Sequence, residues 1–440
     1  MNKAENFHLP NSQQVLLGAT ADPKVHGFNG SVNTGFPQPY EATVVGQKME
    51  LAFQAAIPHL AENDDIASGI PNGVARFQYS IKPGNQSEVT PEGNVRSSSA
   101  NAYIYPSLGE KENLIILTGH QATSIVWAQQ SGNLSQASGV NFIPTPAADD
   151  IPASQFQVAL KREVIVASGA IGVDLPAVGT NLQDQALSTN EFLVSPGTPT
   201  EEFTAINAPI SMTIALLDVE QVLGVDAARL AGSDLSKSVN QRAKDIVSSG
   251  AFTSETGLVK ILEIQAKSIF NFKAPVVELS AEVAQPSSGL GPTLFAQYWN
   301  LLPQWRGTVH IKTDNPSVHP EVDPRYYVDT PFDLLLAGNS TRLVRNTFNT
   351  SPLKEVVAEE VSFDSPVLPA NATDAEIQAF IISAYQPTIH PIGSVSMLPR
   401  EDGGAVGPDL IVYGTANVRV VGAFAHDWLN IKLLKDRIDM

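Results

Sequence analysis

The residues of this chain best suited to proton chemistry lie in one short segment, Thr388-Ile389-His390-Pro391-Ile392-Gly393-Ser394-Val395-Ser396-Met397. An imidazole has an unperturbed pKa of about 6.5, so near neutral pH it can accept or release a proton. Proline and glycine after His390 keep the backbone out of a helix and set the ring on a tight turn, from which it can be aimed at a cavity. Alone, His-Pro-x-Gly is a weak signal, because a lone histidine is more often a structural hydrogen-bonder than a catalyst. Composition removes several rival chemistries. The chain has 0 cysteines, which excludes disulfides, zinc knuckles and thiolate catalysis together. Its 8 histidines are scattered, with no His-x-x-x-His pair to form a zinc site.

The elements that must carry this turn are partly readable from periodicity. Thr373 is a helix N-cap with Glu376 three residues on, so Asp374–Tyr385 is expected to be the helix that delivers the chain to His390. Helical spacing also marks Met49–Leu60, with Leu51, Ala55 and Ala56 on one face, as well as Ser236–Ser249 and Gly257–Phe270. Pro331–Asn346 reads as an amphipathic helix whose apolar residues are Leu334, Leu335, Leu336 and Leu343. Strands are expected at Pro275–Leu279, Thr293–Leu301 and Thr308–Ile311, and a strand pair at Leu114–Leu117 and Thr123–Trp127 around Gly119. Phe156–Val166 alternates and then becomes a continuous apolar run, the pattern of a buried strand.

A length of 440 residues supports a large core, with two interleaved domains expected. At 43% hydrophobic and 16% charged residues the chain is globular rather than disordered. A formal charge of −18 argues against nucleic-acid and anionic-membrane partners, which reward basic patches. No apolar run approaches the roughly 20 residues that span a bilayer, and the opening Met1–Phe7 has no apolar core of a signal peptide.

After the His390 segment come Gly403-Gly404, the run Leu410-Ile411-Val412-Tyr413-Gly414, and Asn417-Val418-Arg419-Val420-Val421. This order resembles the C-terminal signature of the glucose-methanol-choline (GMC) flavoprotein oxidoreductases. Earlier blocks are similar to that family in the same order. They include Lys3–Phe7, His26-Gly27-Phe28, Arg96–Tyr103, Asn113–Thr118, Lys161–Gly172, Val173–Asp184 and Gln304-Trp305-Arg306-Gly307. The branch it looks most like is that of the fungal aryl-alcohol, glucose and secondary-metabolite alcohol oxidases or dehydrogenases. The resemblance implies a mixed α/β (α+β) fold. Residues 1–190 and 385–440 would form the remnant of an FAD-binding domain, interleaved with a substrate-binding domain over 191–384 built on an antiparallel sheet.

For function, the resemblance implies FAD-dependent oxidation of the CH–OH group of a small-molecule alcohol, with His390 as the general base. Ala122 would lie where a strand backbone meets the flavin adenosine, and Val421 with Gly422 near the flavin diphosphate. Without the family, Ala122 and Val421 read as plain core strand, and Arg96 as a surface charge. Three departures bear on retention of the cofactor. The Gly-x-Gly-x-x-Gly turn that holds the FAD pyrophosphate at a helix N-terminus is absent, its nearest approach being Gly289-Leu290-Gly291. Gly172 runs directly into Val173-Asp174-Leu175 without the family's intervening turn and helix. Gly422 replaces the family's aspartate, and the second catalytic position falls near Leu433, with His426 and Asn430 off its spacing. The expectation is therefore a truncated member, with an inactive remnant or a redox-neutral cyclase as the alternatives.

Overall fold

Strict alternation over Thr293–Asn300 puts Leu294, Ala296, Tyr298 and Asn300 on a buried face and leaves Phe295, Gln297 and Trp299 on a half-buried one. That two-faced pattern organises the whole molecule. The computed structural model describes residues 3–37, 44–84, 94–128, 133–145, 155–168, 175–198, 212–284, 292–313, 315, 318–362 and 367–425. Its principal elements in chain order are α1 (Val44–Ala56), β1 (Gly73–Arg76), β2 (His120–Trp127), β3 (Ala137–Pro144), β4 (Phe156–Ala159), β5 (Val164–Val166), β6 (Ala186–Val194), β7 (Thr213–Leu217), α2 (Val225–Ser248), α3 (Glu255–Phe270), β8 (Val277–Ala284), β9 (Thr293–Asn300), α4 (Pro331–Phe348), β10 (Val357–Val361), α5 (Asp374–Ala384) and β11 (Val418–Val420).

The largest sheet has 7 strands, in the order β10-β6-β9-β8-β7-β1, with Gln386–Pro387 pairing the start of β6. Every pairing in it is antiparallel. β1 comes from residues 73–76, so the chain well before residue 191 already contributes to this sheet. One face is sealed by α1, α2, α3 and α4. Leu279, Leu294, Phe192 and Leu217 pack there against Phe53, Leu235, Ile269, Leu336 and Phe348. Each such side chain, moved fully out of water, contributes about 1.5–3 kcal/mol. Tyr298 keeps this core specific, since its buried hydroxyl bonds Asn190 Oδ1 at 3.0 Å and Thr341 Oγ1 at 2.6 Å.

Two of the smaller sheets bear on the site. β2, β3 and β4 form a three-stranded antiparallel sheet, and β5 pairs in parallel with β11. A second apolar cluster joins them, with Ile125, Ala137, Val164, Val412, Val418 and Val420 in one group with Val395 from the chain just after His390.

Several local expectations are corrected. Leu114–Leu117 is not a strand; β2 pairs instead with β3, and the four apolar side chains are 42%, 87%, 41% and 54% exposed. β4 and β5 are not buried, since all of β4 is exposed and Ile165 is 57% exposed. Their apolar runs suggest core, yet among the described residues β5 pairs with β11 alone. In α1 the buried face is Val45, Met49, Ala52 and Phe53, while Leu51 faces water, because Met49, Ala52 and Phe53 share the i, i+3, i+4 stripe. In α4 the helix is as expected and Leu336 is buried, but Leu335 is 37% exposed and the rest of the buried face falls on Phe332, Ala337, Val344 and Phe348. The expected cap at Thr373 forms as a full capping box with Glu376.

Candidate functional site

The His390 turn is built by stitching two distant segments together. Gln183 and Ile392 exchange backbone hydrogen bonds at 2.9 and 2.8 Å, and Thr388 N donates to Gln185 O at 3.0 Å. Asn181 Nδ2 donates to Ser396 Oγ at 2.8 Å, and Gly179 N to Ser394 O at 2.7 Å. The Val178–Asp184 block is thus the floor on which the histidine turn rests. Gly393 makes the close approach possible: its φ is +84°, and a Cβ there would stand 2.5 Å from Asn181 O. Ile389, just before the histidine, is a β-branched residue at φ 62°. Such a conformation costs on the order of 1–3 kcal/mol and persists only where surrounding structure imposes it.

These constraints aim one imidazole. His390 N donates to Asp184 Oδ1 at 2.9 Å, and Nδ1 lies 3.0 Å from Gln185 Oε1. An amide oxygen only accepts, so Nδ1 carries the hydrogen and the neutral ring presents an unprotonated Nε2. Asp184 is itself fixed: Tyr326 OH donates to Oδ2 at 2.5 Å, and Trp305 Nε1 donates to its carbonyl at 3.1 Å. Burial and the bond to Asp184 push the Tyr326 pKa up, so it remains a donor. The ring of His390 is exposed and meets Trp299 edge-on, with centroids 6.1 Å apart at 77°.

Trp299 opens onto the face of the large sheet that the helices do not cover. By register this face carries Glu278 opposite Trp299, Ser280 opposite Gln297, Glu282 opposite Phe295, and Glu191 opposite Phe295 on the other side. Burial raises the Glu278 pKa to about 7 and raises that of Glu282. The arrangement sets an imidazole, bonded through Nδ1, at the end of a mixed polar and aromatic platform. Such a site can remove a proton from a hydroxyl group held against the platform.

The other candidates lie on the second assembly. Val421 N donates to Val166 O at 2.9 Å, directly after the parallel pair of β11 and β5, and Gly422 follows at φ 150°. Both are exposed at the C-terminal end of parallel strands, where open α/β folds bind dinucleotides. Ala122 is exposed on β2 and pairs with Phe142. The apolar cluster that includes Ile125 and Val420 joins the strands of Ala122 and Val421, but no hydrogen bond or ring contact links His390 to Ala122, Val421 or Gly422 among the described residues. His26, from the His-Gly turn, is a clamp: it is buried between Asp65 Oδ2 at 2.8 Å and Glu5 Oε1 at 3.1 Å. Gly172, Gly289–Gly291, His426, Asn430 and Leu433 lie outside the described residues.

For FAD, the described residues supply a candidate group beside the alcohol and an open strand end toward the diphosphate, but not a full phosphate cradle. His390 offers a free nitrogen and Val421–Gly422 an open strand end. No glycine-rich turn leads from a parallel strand into a helix N-terminus among them. No group of three metal-ligating side chains occurs among the described residues, and none of their helices is long and apolar enough to cross a membrane. Sequence reasoning did not single out Gln185, Trp299 or Glu278. Trp299 was within reach, because period-2 alternation through Thr293–Leu301 already separates Phe295, Gln297 and Trp299 from the core face.

Comparison with known proteins bears on the family and the fold. The GMC oxidoreductase C-terminal family model matches residues 303–424. A glucose oxidase-like protein of Humicola fuscoatra is 29% identical over 96% of this chain and 70% of its own length. The glucose oxidase of Penicillium chrysogenum is 28% identical over 96% of this chain and 67% of its own. Among solved structures, an FAD-dependent oxidoreductase of Chaetomium thermophilum superposes with a TM-score of 0.78 at 22% identity, covering 100% of this chain and 79% of the other. A fungal aryl-alcohol oxidase gives 0.70 at 20% identity, covering 96% and 73%. At such identities the structural likeness speaks for the fold.

Proposed function

We propose that this chain, whose residues 303–424 match the GMC oxidoreductase family model, oxidises the CH–OH group of an alcohol, with His390 taking the hydroxyl proton. The observation that carries this reading is the Nδ1 contact to Gln185, which leaves Nε2 free at the edge of the Trp299 platform. Asp184 and the Gly393 turn hold the imidazole in place, and Trp299 offers a face against which a substrate can be oriented. FAD, when bound, supplies the hydride acceptor. Ala122 and Val421–Gly422 are the positions we assign to its adenosine and diphosphate ends. Glu278 and Gln297 line the same platform and suit a hydroxyl-bearing substrate. The second reading, a chain that keeps the alcohol side but not the cofactor, is favoured by the lack of a described phosphate cradle.

Absorbance tests both. Purified protein, alone and after addition of FAD, is expected to show the flavin band near about 450 nm, and benzyl alcohol or glucose should bleach it anaerobically. Protein that stays colourless after reconstitution sinks the cofactor assignment. In flavin-loaded protein, His390→Ala should slow bleaching by about 10²–10⁴-fold, and an unchanged rate removes His390 from the role.

A further inference from the structure

A parallel strand pair leaves needs unmet at its edges and on its faces. Parallel sheets occur almost only with both faces covered, because each strand returns through a crossover, usually a helix, that lies over the sheet. In the pair β5–β11 one edge is closed. Val412 N donates to Val418 O at 2.9 Å and Val420 N to Leu410 O at 3.0 Å, so β11 has a second neighbour. The other edge is open. Val164 N donates to Asn417 O at 3.0 Å and Val166 O accepts from Val421 N at 2.9 Å, so residues 164 and 166 turn their backbone groups toward β11. Alternation along the strand then turns the N–H and C=O of Ile165 outward, and neither has a hydrogen-bond partner among the described residues.

The faces are unequal in the same way. Val164, Val166, Val418 and Val420 join the apolar cluster on the inner face. On the outer face Ile165 is 57% exposed, and Val421, just past β11, is 43% exposed. Arg419, the register partner of Ile165, is matched by Glu163 at 3.1 Å, so this ion pair adds no net charge there. An occupant must therefore bring an extended segment for the edge and an apolar layer for the face. A second copy pairing β5 with β5 about a two-fold axis would run antiparallel and leave the face bare. A strand followed by a helix meets both needs. The glucose oxidase-like protein of Humicola fuscoatra has the length to supply one, since this chain matches 70% of it and the remainder has no counterpart here.

We infer that β5 and the outer face of the β5–β11 pair dock a strand–helix unit of a separate polypeptide. Its strand runs parallel to β5 and bonds the backbone of Ile165, and its helix covers Ile165 and Val421. Docking needs no flavin, so the test is made without it and does not depend on the role of His390.

The probe is the longest stretch of the Humicola fuscoatra protein that this chain does not match, co-expressed with the full chain. The two should co-purify in solution at one to one, and hydrogen exchange at the Ile165 amide should be at least about tenfold slower in the complex than in the chain alone. Ile165→Pro removes the outward N–H and leaves the bonds to β11, which come from residues 164 and 166. It should weaken the complex about tenfold or more while the melting temperature of the chain holds. If the proline variant does not fold, Ile165→Lys, which keeps the N–H and sets a charge beneath the helix, takes its place with the same expected loss. A fragment that stays insoluble or separates from the chain overturns the proposal. So do an Ile165 amide already protected in the chain alone, binding undiminished in the folded variant, and preferential pairing of two copies through this edge.

Discussion

The base role proposed for His390 rests on a neighbour that a motif search does not name. Gln185 is buried and offers its amide oxygen to Nδ1, which fixes the hydrogen there and leaves Nε2 basic. Gln185→Leu removes the acceptor and lets the hydrogen move to Nε2. In ¹⁵N-histidine NMR at a pH where the ring is neutral, the wild-type signal of His390 should report hydrogen on Nδ1, and the leucine variant a mixture or the reverse. Flavin reduction in the variant should slow by about tenfold to a hundredfold; an unchanged tautomer counts against the argument. Glu278 is the second residue with a measurable consequence. Burial raises its pKa from 4.5 to about 7. Below pH 4.5 the carboxyl is neutral in both states. Between 4.5 and 7 the unfolded chain ionises while the fold retains the proton, so this carboxyl takes stability away as pH rises through that window. Glu278→Gln, which cannot ionise, should be more stable than the parent by about 1–3 kcal/mol at pH 8 and by much less near pH 4.5. Urea denaturation at the two pH values measures it, and a pH-independent difference would show that Glu278 is not the source.

At the scale of elements, the turn under His390 depends on Gly393 more than on any side chain. Alanine there must adopt φ +84° and place its Cβ 2.5 Å from Asn181 O, whereas Gly414 has the same φ with nothing within 4 Å. Gly393→Ala should therefore cost about 2 kcal/mol or more and Gly414→Ala about 1 kcal/mol, as read from chemical denaturation. Equal costs would mean that the Asn181 contact relaxes freely. The sequence was most legible where a periodic pattern coincided with a cap or a turn residue. Thr373 with Glu376, the alternation of Thr293–Asn300 and helix α3 were readable in this way, whereas α2 was legible only in its second half, from Ser236. It was least legible where apolar character did not report burial. Val164–Val166 and Leu114–Leu117 have the composition of interior strands, and strand burial is decided by what packs on either side. The same limit applies to the site. His390 and the Val178–Asp184 block carry recognisable spacing. Gln185 and Glu278 act only through partners that folding brings near, Gln185 over a separation of 205 residues.

Over the whole molecule, apolar exposure and net charge oppose one another. Leu114, Ile115, Ile116 and Leu117 form a consecutive exposed apolar run, Ile165 on β5 is 57% exposed, and Val421 just after β11 is 43% exposed. Surfaces of this kind bind something or promote self-association, and the unpaired edges of β4 and β5 offer backbone donors as well. A formal charge of −18 counters this by mutual repulsion. Salt shortens the reach of that repulsion, to about 8 Å at physiological ionic strength, and leaves apolar attraction intact. Self-association of the isolated chain should therefore increase with sodium chloride, the opposite of what charge-paired contacts would give. Replacing Ile115 and Ile165 together by lysine removes an 87% and a 57% exposed apolar group from these surfaces. Since neither fills a cavity in the core, stability should change by no more than about 0.5 kcal/mol per site. Light scattering across a salt series, with melting curves of both proteins, separates the possibilities. Scattering that grows with salt in the parent and much less in the double variant, at matched melting temperature, is the expected result. Association that weakens with salt would place its origin in ion pairs rather than in this exposed run.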